Sequence, residues 1–89
     1  MISVTMTGIN EYEVVVEKPT ETVHRVTLSQ DYYRSLCGAK VTHEWLIIQA
    51  FKFLLEREPN TAILSSFDIK DINGYFPEFE AALAQRLGV

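Results

Sequence analysis

The side chains able to do chemistry are few in this chain and widely spaced. Cys37 and His43 stand close in sequence, and a thiol beside an imidazole can form an activated nucleophile. Such a pair also needs an orienting third group and an oxyanion site, and no residue pattern here supplies either. His43-Glu44 opens like a zinc-binding helix, but position 47 is Ile, so no second ligand follows one turn on. One Cys and one His do not close a zinc site. Asp68 with Asp71 and Glu78 with Glu80 are paired carboxylates, and each pair reads as acids at a helix N-terminus. Glu56-Arg57-Glu58 reads as a solvated helix end. His24 falls on the inner face of an inferred strand, where a hydrogen-bonded structural role is expected. There is no phosphate-cradling glycine loop and no nucleophile elbow. The expectation is a protein that is not an enzyme and uses no cofactor and no metal.

Composition narrows the class. Of the 89 residues 47% are hydrophobic and 22% charged, which describes a folded globular chain and one domain, residues 1–89. No apolar run is long enough to span a bilayer, so no membrane partner is expected. Cys37 is the single cysteine, and MISVTMTGINEYE has neither a basic n-region nor a long apolar core. A cytoplasmic, bacterial setting follows as an expectation. Net charge is −4, which disfavours a broad nucleic-acid surface. The middle differs: between residues 22 and 43, Arg25, Arg34 and Lys40 outnumber Asp31, with His24 and His43 nearby.

The elements that would position these residues follow from periodicity. EYEVVVE alternates Tyr12, Val14 and Val16 with acids, the pattern of a strand with one wet face. Pro19 suits the turn after it, and TVHRVTL reads as a second strand in an antiparallel hairpin. Ile2, Val4 and Met6 alternate over 2–6 and can add a third. Ser29 is a good N-cap and Gly38 a good helix terminator, which brackets a short helix, QDYYRSLC. Thr42 then caps a long helix that Pro59 stops. On a wheel, Gln49, Lys52, Glu56 and Trp45 share a narrow polar stripe, and the rest is apolar over an arc of about 220° at 100° per residue. A surface helix needs only about 100° of apolar stripe. The long helix must therefore be covered on two sides, by the hairpin and by the C-terminal segment, a second copy of the chain, or both. The C-terminal segment is expected to hold a turn after Asn60, a short helix from Ser66 or Asp68 ended by Asn73-Gly74, and a last helix opened by Pro77. The fold class is thus α+β: an N-terminal two- or three-stranded antiparallel meander, a short helix, a long central helix and short C-terminal helices.

The run VHRVTLSQDYYRSLCGAKVTHEWLIIQAFKFLLERE resembles the ribbon-helix-helix DNA-binding family in its order of strand, short capped helix and long apolar helix. The resemblance implies that two copies pair their strands into a ribbon that enters the major groove. Arg25 and Thr27, with Val23 beside them, would face the bases. Thr42 and His43 would hold a backbone phosphate at the second helix's N-terminus, with Arg34 and Lys40 assisting. A DNA-binding regulator or antitoxin is the function it implies. The chain as a whole, through ILSSFDIKDINGYFPEFE, resembles small uncharacterised bacterial proteins, a likeness that brings no site with it.

The residues themselves point more to a small non-catalytic domain that binds protein or itself, as a homodimer. Tyr32, Tyr33 and Trp45 are its expected contact residues, with Phe53 a core alternative, because aromatic side chains dominate binding hot spots. Trp45 falls inside the polar stripe of its helix and is the one expected at the surface.

Overall fold

A computed structural model describes residues 1–89. Three antiparallel strands come first: β1 (Ile2–Gly8), β2 (Glu11–Val16) and β3 (Thr22–Thr27). Two helices follow, α1 (Gln30–Cys37) and α2 (His43–Leu55). A 3-10 turn at Asn60–Ala62 leads into a short strand, β4 (Ser66–Asp68). A second 3-10 turn, α3 (Ile72–Tyr75) and α4 (Phe79–Leu87) complete the chain. The fold is α+β, with one four-stranded sheet in the order β1-β2-β3-β4.

The hairpin forms as its alternation predicts. Tyr12, Val14 and Val16 are buried, as are His24 and Val26 across from them, while Glu11 and Arg25 are exposed. The third strand is real: Ile2 pairs with Val16, Val4 with Val14 and Met6 with Tyr12. Of the two expected helix starts, Asp68 does cap the 3-10 turn that follows, but Ser66 belongs to a strand, β4, residues Ser66–Asp68. Those residues instead pair parallel to β3, Phe67 opposite Val26. Parallel neighbours need a long crossover, and α1 with α2 provides it. The helix after β4 also runs past Asn73-Gly74 to Tyr75.

Capping sets the helix bounds. The Ser29 side chain accepts from the Tyr32 N–H, and Gly38 takes a left-handed conformation at φ 60°. The Thr42 side chain accepts from the Trp45 N–H and starts α2. α2 stops at Leu55, short of Pro59, and the Arg57 guanidinium lies 3.6 Å over the Phe53 ring. Arg86 reaches Glu56 and holds that carboxyl below its ordinary range.

α2 is covered on two sides within one chain. Phe51 packs against His24 of β3 at 5.4 Å and Phe67 of β4 at 6.0 Å. Phe53 packs the other way, on Phe79 at 5.2 Å and Phe76 at 5.8 Å. Two residues along a helix differ by about 200°, so these rings mark opposite faces. The sheet covers one and the C-terminal helices the other; Leu46, Ile47, Ala50, Phe51, Phe53, Phe79 and Leu83 are fully buried. Gln49, assigned to the polar stripe by spacing, is buried as well.

A buried polar chain ties the crossover's return to the sheet. His24 Nδ1 donates to the Leu64 carbonyl at 2.7 Å. Its other nitrogen lies 2.8 Å from the Thr22 hydroxyl, within hydrogen-bond reach. The same hydroxyl oxygen accepts from Asn60 Nδ2 at 2.8 Å, and Asn60 also donates to the Thr20 carbonyl. This network anchors residues 60–64 beside β3 before β4 begins.

Candidate protein-binding surface

The chemically capable side chains are committed to structure. Cys37 is buried and its thiol points at the Tyr33 carbonyl. The His43 ring is stacked 3.7 Å from Tyr33 and 6.2 Å from Tyr12, with Nε2 buried and unpartnered. Cys37 and His43 thus flank Tyr33 and do not bond each other. Asp68 and Asp71 form a reciprocal cap at the second 3-10 turn. Glu80 accepts from the Tyr32 hydroxyl at 2.8 Å, and Glu78 meets Arg57. No group of three or more His, Cys, Asp or Glu is placed to hold a metal ion, and no helix is long and apolar enough to cross a membrane.

Tyr32 and Tyr33 line the core and leave no contact surface. They are adjacent on α1, about 100° apart, so each meets a different neighbour. Tyr32 reaches Asn73 and Glu80 in the C-terminal layer, and Tyr33 donates to the Val41 carbonyl. Burial raises both phenols above their ordinary range. For Tyr32 the Glu80 carboxylate adds to this while the Asn73 hydrogen bond opposes it; for Tyr33, Cys37 and Glu44 add to it. Trp45 is 45% exposed, as its place in the polar stripe predicts.

The residues expected to meet DNA are not brought together. Arg25 and Thr27 lie on the outer face of the sheet, away from the helices. That face also carries Glu11, Glu13 and Asp68, with Glu13 directly opposite Arg25. Arg34, Lys40 and Thr42 are exposed in the helical layer, and the Thr42 hydroxyl is spent on its cap. The ribbon pairing fails on topology: β3 is an inner strand, hydrogen-bonded to β2 on one edge and β4 on the other. A second copy has no edge of β3 to pair with.

The sheet has two edges, the three-residue β4 and the longer β1, a surface that periodicity identified as a strand but could not place at the sheet's margin. The Glu17 N–H donates to the Met1 carbonyl, which fixes the alternation of the β1–β2 ladder. Ser3 and Thr5 therefore bond β2, and the N–H and C=O groups of Ile2, Val4 and Met6 point away from it. From Met1 to Asn10 the chain holds no charged side chain and no proline, so two common protections of an edge strand are missing. Beside this edge lies one face of α2. Trp45, Ile48, Lys52 and Leu55 recur at helical spacing and are all at least partly exposed. Ile48, Lys52 and Leu55 share an open notch with Met1, Ile2 and Val16. Met6 pairs with Tyr12, and Tyr12 stacks on His43, so the N-terminal end of α2 lies toward the Met6 end of β1. The exposed apolar side chains Met1, Met6 and Trp45 therefore gather along this margin.

Searches with family models, among curated proteins and among solved structures gave no match to this chain.

Proposed function

We propose that this chain is a non-catalytic protein-binding module that works as a homodimer joined through β1. The observation that carries this reading is the edge itself: five residues of regular strand, Ile2–Met6, with the main-chain groups of Ile2, Val4 and Met6 turned outward, no charged side chain and apolar neighbours. A twofold axis through Val4 makes the edge its own complement. Val4 then faces Val4 of the partner subunit, and Ile2 faces the partner's Met6. Those are the residues whose main-chain groups point outward, so the pairing forms about six hydrogen bonds. Ser3 would lie opposite the partner's Thr5 on the outer face, a favourable cross-strand pair. The α2 stripes of the two copies flank the seam and cover Trp45, Ile48 and Leu55. A closed, isologous contact of this kind is the usual form of a homodimer.

Light scattering tests it. The expected mass is twice the 10.2 kDa chain. A double variant, Ser3→Lys with Thr5→Lys, puts like charges opposite one another at two exposed positions and is expected to run as a monomer with unchanged fold. Mixing Ser3→Cys with Thr5→Cys reads the register, because that pair sits at the close, about 4.5 Å, spacing of an antiparallel ladder. A monomer at every concentration refutes the proposal.

A further inference from the structure

Two further exposed apolar side chains stand together beyond β4, at the opposite margin of the sheet. Leu64 is 54% and Tyr75 69% exposed, and both line one cleft. Its floor is Leu54 and Ile72, both buried, with Phe67 of β4 at the side. The volume is about 160 Å³. That is well below the roughly 300–1,000 Å³ of sites for drug-sized molecules, and it suits a single side chain. Two carboxylates, Glu58 and Asp71, stand in its wall, and no cation lines it. Lys70 is next to Asp71 in the chain but outside the cleft.

We infer that this cleft captures one apolar side chain of a partner peptide whose flanking residues are Lys or Arg. The apolar floor supplies the anchor's burial. The two carboxylates supply a charge preference, since an acidic flank would bring like charges together at the rim. The rim residues Leu64 and Tyr75 are placed to close over a docked side chain and exclude water, which strengthens both effects. The cleft is formed from α2's last turn, the segment from Glu58 to Leu64 that returns to the sheet, β4 and α3 with its flanks, so it shares no residue with the β1 edge. It stays open whether the chain is single or paired, and the two proposals stand or fall separately.

The test is a titration followed by amide and methyl chemical shifts on the whole chain. The probe is a capped five-residue peptide with leucine between two lysines; its control replaces both lysines with glutamates. Shifts confined to Leu64, Phe67, Ile72, Tyr75 and their neighbours are expected at millimolar peptide. The glutamate peptide should bind on the order of tenfold more weakly, since a charge pair near a surface contributes modestly. Glu58→Gln should shrink that difference, and Tyr75→Ala should weaken both peptides while leaving the fold intact. The inference is overturned by equal binding of the two peptides, by shifts spread over the acidic outer sheet face, or by no response up to about 10 mM, near the weakest affinity such a contact would show.

Discussion

Asn60 shows how much one polar side chain can decide. It is fully buried, and its amide nitrogen donates to the Thr22 hydroxyl at 2.8 Å and the Thr20 carbonyl at 2.7 Å. Replacing it by leucine of similar bulk takes the donor from the Thr22 hydroxyl and the Thr20 carbonyl, and removes with it an amide oxygen that is buried without a partner. We expect Asn60→Leu to cost about 1–3 kcal/mol in urea denaturation. Asn60→Asp should cost more, because a carboxylate would face the oxygens the amide now feeds. Equal stability of Asn60→Leu and wild type would mean water satisfies those groups. For the core, Phe51→Ala and Leu54→Ala should each cost about 2–5 kcal/mol, since both side chains are buried on α2. Near-wild-type melting of both would contradict the two-sided packing. The sequence predicts the role of His24 from its strand phase, but not that of Asn60, which as a turn residue carries no local mark of a partner forty positions away.

At the scale of elements, local chemistry was readable and long-range pairing was not. Ser29, Gly38 and Thr42 each act where their types say they should. Gly38 makes a sharp test, because its φ of +60° is strained for any side chain although nothing crowds the position. Gly38→Ala should therefore destabilise by about 1 kcal/mol through backbone strain alone, read as a lower melting temperature. β4 escaped because three residues give no period, and Asp68 beside it is a sound cap for the turn that follows. Only the neighbouring β3, far back in the chain, makes Ser66–Asp68 a strand. The resemblance of residues 23–58 to a ribbon-helix-helix rested on element order, and the same order serves here as a parallel crossover. The β1 edge was half legible: its strand phase is plain, but whether it lies inside or at the margin depends on what else pairs.

The whole molecule is the scale on which its titration behaviour belongs. Tyr12, Tyr32 and Tyr33 all have phenols raised above the ordinary value of 10.0, in each case chiefly by burial. Glu44 adds to the effect at Tyr12 and Tyr33, and Glu80 at Tyr32. A phenol whose folded pKa exceeds its unfolded one stabilises fully while pH stays below the unfolded value. Above about pH 10 the unfolded chain gives up protons that the folded chain keeps, so stability falls as pH rises. The loss continues until the folded phenols themselves ionise. These three side chains join β2 and α1 to α2, α3 and α4, since Tyr12 and Tyr33 stack on His43 and Tyr32 binds Asn73 and Glu80. Deprotonating Tyr32 would set a phenolate against the Glu80 carboxylate and loosen that joint. The expected result is a urea midpoint that is flat from pH 8 to 9 and drops between pH 10 and 11. Tyr32→Phe should start lower, having lost two hydrogen bonds, and decline less steeply over the same interval. A midpoint that holds level to pH 11 would mean these phenols are as open to water in the folded chain as in the unfolded one.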